Sequence, residues 1–197
     1  MATLAEARRS IVLVCRRLYE RELIAGQDGN VSVRLGPDRV LVTPAGFSKV
    51  DVRGIDLVEI TLSGERLKGS QHASSEVAVH LAIYRGRPDV GAVVHAHPPT
   101  ATGFALAGES LPANLLPELE YSVGPVALVP YAPPGTDALA ESFGPYLASH
   151  DAWLMANHGA VTAGPSLRIA HQRMESLEHA ARIIVAARAL GRVMPFR

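Results

Sequence analysis

Val90-Gly91-Ala92-Val93-Val94-His95-Ala96-His97 is a short apolar run rich in β-branched residues, framed by Pro88 before it and Pro98-Pro99 after it. Such a run between turn signals reads as a buried strand. Residues two apart on a strand project from one face, so His95 and His97 point into the same space. Two imidazoles aimed together at a strand end pack poorly in a core but make a good pair of metal ligands. A lone His-x-His is weak on its own, and a satisfied structural pair is the commoner outcome. Pro98-Pro99 stops the strand, and Thr100 to Leu106 then reads as a helix with Gly108 as its stop.

Working outward, Leu4, Ala7, Ile11, Val14, Cys15 and Leu18 recur at helical spacing, which predicts an amphipathic first helix ending near Gly26. Val31 to Leu35 and Val40 to Thr43 flank a Gly36-Pro37-Asp38-Arg39 turn and predict a β-hairpin. Leu57 to Leu62 reads as another strand. Ser74-Ser75-Glu76 precedes the apolar Val77, Val79, Leu81, Ile83 and Tyr84, a serine-capped helix with an acid in its first turn. The start of that helix would present free N–H groups, and Ser74 and Ser75 hydroxyl donors, to a phosphate.

Leu111 to Pro125 reads as irregular chain or short helix, Val126 to Pro130 as a strand, and Thr136-Asp137 as the cap of a helix reaching about Ala148. Ala152 to Ala156 reads as a buried strand delivering Asn157-His158-Gly159 to its end, and Ser166 to Leu190 as the longest helix. Strands separated by helices, together with a hairpin, predict an α/β domain with a mixed, largely antiparallel sheet covered by helices.

The 197 residues are 48% hydrophobic and 19% charged with zero formal net charge, and are read as one domain. No charge block supports binding to nucleic acid or to a membrane surface, and no stretch approaches membrane-spanning length. The arginine-flanked Ile11 to Cys15 is too short for a signal peptide, so a cytoplasmic location is expected. The single cysteine, Cys15, reads as a small buried residue.

Taken together, Gly29-Asn30-Val31-Ser32-Val33-Arg34, Thr43-Pro44-Ala45-Gly46, Ser74-Ser75-Glu76, His95-Ala96-His97, Pro130-Tyr131-Ala132 and Asn157-His158-Gly159 resemble the class II aldolase/adducin family, and within it the L-fuculose-1-phosphate aldolases. The blocks occur in the family's order and span most of the chain. The resemblance implies a three-layer α/β/α fold, a homotetramer with active sites at subunit boundaries, and a divalent metal, usually zinc (Zn2+). It implies His95, His97 and His158 as metal ligands. Glu76 would be the catalytic acid/base, able to ligate the metal when substrate is absent. Gly29, Asn30, Gly46, Ser74 and Ser75 would form the phosphate pocket. Three neutral imidazoles leave zinc its full charge and an open position, the pattern of a catalytic site.

Ala45 stands where relatives carry a hydroxyl. Leu116 stands where they carry a tyrosine that reaches a neighbour's site, and the sequence ends at Arg197 without the extension bearing a second tyrosine. Glu118, Glu120 and Tyr121, in the same region, are candidates to replace the first. His80 reads as a satisfied helix histidine, and His171, Glu175 and His179 as a solvated or subunit-facing polar stripe rather than a second metal site. His72 and His150 fall in loops without signal.

The implied chemistry is reversible aldol cleavage of a small phosphorylated ketose to dihydroxyacetone phosphate and an aldehyde, through a zinc-stabilised enediolate. Epimerisation or dehydration of a sugar phosphate uses the same logic. A non-catalytic adducin-like module is the reading from a different class, and an intact histidine set with Glu76 argues against it.

Overall fold

The computed structural model describes residues 3–196; Arg197, where the expected C-terminal departure falls, lies outside them. Thr3 starts helix α1 (Leu4–Glu20) with a reciprocal cap. Its hydroxyl accepts the Glu6 amide at 3.2 Å, and the Glu6 carboxylate accepts the Thr3 amide at 2.8 Å. The face formed by Ala7, Ile11, Val14, Cys15 and Leu18 is buried, as its spacing requires.

The strands are β1 (Asn30–Gly36), β2 (Arg39–Val42), β3 (Val58–Ile60), β4 (Arg66–Lys68), β5 (Ala92–Ala96), β6 (Val126–Val129), β7 (Ala152–Met155) and β8 (Gly159–Gly164). They form one eight-stranded sheet in the order β4-β3-β2-β1-β5-β8-β7-β6. Only β6 and β7 pair in parallel; every other neighbouring pair is antiparallel. The other helices are α2 (Val77–Gly86), α3 (Pro99–Ala107), α4 (Pro117–Ser122), α5 (Asp137–Ser142) and α6 (Leu167–Leu190). Val94 of β5 belongs to the core that α1, α3, α4 and α6 share on one face of the sheet, and Val93 to the core that α2 and α5 share on the other. The three-layer α/β/α architecture with a mixed, largely antiparallel sheet is therefore present. Strand β5 lies centrally, between β1 and β8, which carries its histidine end to the middle of one sheet edge.

Several boundaries differ from expectation. The helix expected to reach Ala148 ends at Ser142 and gives way to a 3₁₀ turn over Gly144–Tyr146, because Pro145 lacks an N–H and restrains the residue before it. Leu57–Leu62 narrows to β3, and β4 was not expected from its polar Arg-Leu-Lys. Strand β8 also escaped the pattern: Gly159-Ala160-Val161-Thr162-Ala163-Gly164 is mostly small residues with weak strand propensity, yet all six are buried. Helix α2 is not capped by a serine. Its N-cap is Glu76, with no side-chain cap bond, and the Ser74 hydroxyl instead accepts from the Asn30 amide at 3.1 Å. No helix among the described residues is long and apolar enough to cross a membrane.

Candidate metal centre

β5 and the β7–β8 hairpin bring the three histidines together. Their ring centroids are 4.9, 5.0 and 5.1 Å apart. Asn157, at the hairpin tip, takes the left-handed conformation (φ 59°), which asparagine tolerates better than most residues, and His158 follows it into the cluster. Two glycines make room. A Cβ at Gly159 would sit 2.6 Å from Cδ2 of His97 and 2.7 Å from the Ala96 carbonyl, so only a bare backbone fits under the rings. Gly29 has φ +70°, and a Cβ there would meet the His95 carbonyl at 2.6 Å.

Glu76, at the head of α2, reaches into the cluster. Its Oε2 lies 2.9 Å from Nε2 of His95 and its Oε1 lies 2.9 Å from Nε2 of His158. Burial works against ionisation of Glu76, but the hydrogen bonds from His158 and His95 outweigh it and hold the carboxyl well below the ordinary carboxylate range. Burial, reinforced by His95, depresses His97 to about 4. His97 therefore favours the neutral, ligating form.

The donor chemistry fits a metal ion. Nδ1 of His95 donates to the Ala160 carbonyl at 2.9 Å, so in the neutral ring the proton sits there and the Nε2 lone pair faces the site. That lone pair meets the Glu76 carboxylate at 2.9 Å and Nε2 of His97 at 3.2 Å. A proton on Nε2 of His95 satisfies this contact as a hydrogen bond to Glu76, and a metal ion shared by the same atoms would satisfy it in the proton's place. One donor atom from each of His95, His97 and His158 lies within 4.8 Å of the others. Behind them Val79, Leu139, Met155 and Val161 close the site with apolar side chains.

On the open side is a cavity of about 250 Å³ lined by Gly29, Gly46, Ser74, Ser75, Glu76, His97 and His158 among others. The loop at Ala45 and the segment before α2 are laced together, with the Ala45 amide donating to the His72 carbonyl at 2.9 Å and the Ser74 amide to the Thr43 carbonyl at 3.3 Å. Asn30 differs from the other pocket candidates. It is buried, does not line the cavity, and holds Ser74 and Glu76 from behind through its amide.

The remaining candidates lie elsewhere. Leu116 caps α4 and packs partly buried against the core, while Tyr121 on that helix is 89% exposed. Glu118, Glu120 and Tyr121 do not line the cavity. His80 is only half satisfied: Nδ1 lies 2.7 Å from Oγ of Ser32, but the buried Nε2 has no partner, and burial pushes the ring down to about 3. His171 is buried rather than part of an exposed stripe, with Nδ1 3.6 Å from Glu175. Its group forms no second metal cluster among the described residues. Two residues escaped the sequence reading. Buried Lys49 lines the cavity, and buried Glu178 of α6 accepts the Thr100 and Ala101 amides at the start of α3. Nothing local marks either one; Glu178 and Arg182 read as a surface i, i+4 pair.

The chain matches the family described as "Class II Aldolase and Adducin N-terminal domain" over residues 9–185. It is 35% identical over 182 residues to a 3-oxo-tetronate 4-phosphate decarboxylase of Pectobacterium atrosepticum, covering 90% of this chain and 83% of that one. It is 34% identical over 172 residues to an L-fuculose phosphate aldolase of Methanococcus maripaludis, covering 87% and 92%. The solved L-fuculose-1-phosphate aldolase of Thermus thermophilus superposes with a TM-score of 0.83 at 29% identity, covering 96% of this chain and all of that one, 100%. An eight-stranded mixed sheet, three converged imidazoles and these likenesses agree, and the chain belongs to the class II aldolase and adducin family.

Proposed function

We propose that the chain cleaves and forms a carbon–carbon bond in a small phosphorylated ketose, releasing dihydroxyacetone phosphate and an aldehyde by a reversible aldol reaction. The observation that carries this reading is the Glu76 carboxylate held between two imidazoles at 2.9 Å and opening onto a cavity with serine donors. His95, His97 and His158 would hold a divalent metal, zinc in this reading, which supplies Lewis-acid stabilisation of the negative charge that develops on the substrate oxygens. Glu76 moves the proton to and from the hydroxymethyl carbon. Ser74, Ser75 and the Gly46 loop bind the phosphate, with Gly29 giving the chain its close turn and Asn30 fixing Ser74 and Glu76. A homotetramer, in which α4 of one copy approaches the site of the next, is part of the same proposal.

A second reading, decarboxylation of a phosphorylated 3-oxo acid, is favoured by Leu116. Aldol cleavage needs a group to take the proton from the departing aldehyde's hydroxyl, and Leu116 stands where the resemblance puts the neighbouring copy's tyrosine for that task. Loss of CO2 from a 3-oxo-tetronate 4-phosphate needs no such group. The electron pair of the broken bond is left on the carbon beside the ketone, and protonation by Glu76 gives the same dihydroxyacetone phosphate. The first test is NMR of dihydroxyacetone phosphate in deuterated water with metal-loaded protein, where exchange of a hydroxymethyl proton is expected. Absence of exchange overturns both readings. Release of dihydroxyacetone phosphate from fuculose 1-phosphate but not from the oxo acid, or the reverse, decides between them.

A further inference from the structure

Lys49 is 3% exposed, and it lies on the 3₁₀ turn Lys49–Asp51 that follows the Gly46 loop. Its Nζ donates to the carbonyls of Gln27 and Phe47, each at 2.8 Å. These bonds tie the Gly46 loop to the loop that carries Asp28 and Gly29. An ammonium has three donors, so one proton is left without an acceptor among the described residues. Its charge is unpaired as well. Glu76 is engaged with His95 and His158, and Asp28 with His97, so both carboxylates reach Lys49 only at longer range. Burial accordingly pushes Lys49 below the ordinary lysine value, with Cys15, Asp28 and Glu76 opposing it, and an anion brought beside Nζ would favour the charged form. Lys49 is also the one lysine or arginine among the residues that line the 250 Å³ cavity, whose wall otherwise carries the carboxylates of Asp28 and Glu76.

We propose that Lys49 is the counter-cation of the substrate's phosphate, donating its third proton to a phosphate oxygen and replacing the hydroxyl that Ala45 lacks. The assignment rests on the phosphate reading given above and adds the residue that sets the preference for a charged substrate. A phosphate dianion entering this cavity meets the carboxylates of Asp28 and Glu76; a divalent metal on the histidines would answer Glu76, and the neutral donors of Ser74 and Ser75 do not offset what remains. A fixed ammonium does, and its burial strengthens the attraction. The two carbonyls that hold Nζ also pre-set its position, so little freedom is lost when the anion arrives.

The test compares metal-loaded wild type with Lys49→Met, which keeps the apolar stem and removes the charge. Calorimetry with inorganic phosphate should show binding weakened about ten- to a hundredfold, the range for a charged hydrogen bond. The preference for dihydroxyacetone phosphate over dihydroxyacetone in deuterium exchange should fall by a similar factor, while metal content stays at the wild-type level. Damage to the loops alone would slow both substrates and leave that ratio intact, so an unchanged ratio overturns the proposal, as does unchanged phosphate affinity. Equal exchange of both substrates by the wild type overturns the phosphate reading itself, and the role of Lys49 with it. If the variant does not fold, a crystal structure of the wild type with inorganic phosphate serves. An anion oxygen within hydrogen-bond reach of Nζ supports the assignment, and an anion seated elsewhere removes it.

Discussion

Glu178 lies on α6, far from His97 in sequence, yet replacing it should loosen a metal held by His95, His97 and His158. Its carboxylate accepts the Thr100 amide at 3.0 Å and the Ala101 amide at 2.9 Å, immediately after the His97-Pro98-Pro99 corner. These amides are orphan donors of the first turn of α3, and the buried anion also suits the positive end of that helix. A hydrogen bond to a charged group contributes about 1.5–3 kcal/mol, so Glu178→Ala, which strands two donors, should cost about 3–5 kcal/mol. Glu178→Gln keeps one acceptor oxygen and should cost about 1–2 kcal/mol. The ion pair to Arg182 at 2.7 Å adds little, because Arg182 is 51% exposed, and Arg182→Ala should change stability by less than about 1 kcal/mol. With the corner no longer clamped, His97 loses its fixed approach, and metal affinity in Glu178→Gln should fall roughly ten- to a hundredfold, as for other groups that orient a ligand from behind. Urea unfolding of the metal-free variants measures the first effect, and competition with a chromophoric chelator the second. Wild-type metal affinity in Glu178→Gln, or a cost in Glu178→Ala below about 1 kcal/mol, would refute the reasoning.

Three other outcomes are expected. Metal analysis should find about one transition-metal ion per chain, and His158→Ala should lose most of it; full retention would remove His158 from the ligand set. Glu76→Gln should abolish deuterium exchange into dihydroxyacetone phosphate while keeping part of the metal, since an amide cannot act as a base; undiminished exchange would take Glu76 out of its role. The metal-free protein should lose stability as pH falls below the ordinary histidine value of 6.5, because His80 is depressed to about 3 and His97 to about 4 when folded, and the unfolded chain binds the extra protons between those values and 6.5. From about pH 8 to about pH 5.5 each of these groups contributes about 1.4 kcal/mol, and His80→Gln should make that part of the profile less steep by its share. An equally steep profile in the variant assigns the slope elsewhere.

What was legible in the sequence was local. The apolar spacing of α1, the hairpin turn at Gly36-Pro37-Asp38-Arg39 and the prolines that end β5 each act over a few residues, and the corresponding elements are present. His95 and His97 are brought close by neighbouring positions at the end of β5, and His158 joins them because an Asn-His-Gly corner turns β7 into β8. Strand β8 was missed because its small residues are held by β5 and β7 on either side rather than by their own preference. The serine cap on α2 failed for a related reason. The Ser74 hydroxyl serves Asn30, which lies 44 residues away, in place of the helix.

Lys49 and Glu178 show the same division more sharply. A lysine in a polar loop and a glutamate four residues before an arginine both carry the signature of solvent-facing charge. Their burial is decided by partners 22 and 78 residues distant, Gln27 and Thr100, and no pattern within a turn or two of either residue encodes those meetings. Lys49 is tied to backbone alone and Glu178 to backbone as well as to Arg182, so a search for complementary charges finds only the exposed pair and passes over the contacts that bury each residue. Backbone groups are present at every position, and a charged side chain that binds them leaves no mark on the partner's identity. The histidines point to a chemistry because metal ligation restricts residue type, whereas Glu178 and Lys49 can be supported by any residue's amide or carbonyl. The first kind of residue can be found by spacing; the second becomes visible only when the sheet and its covering helices bring the chain together.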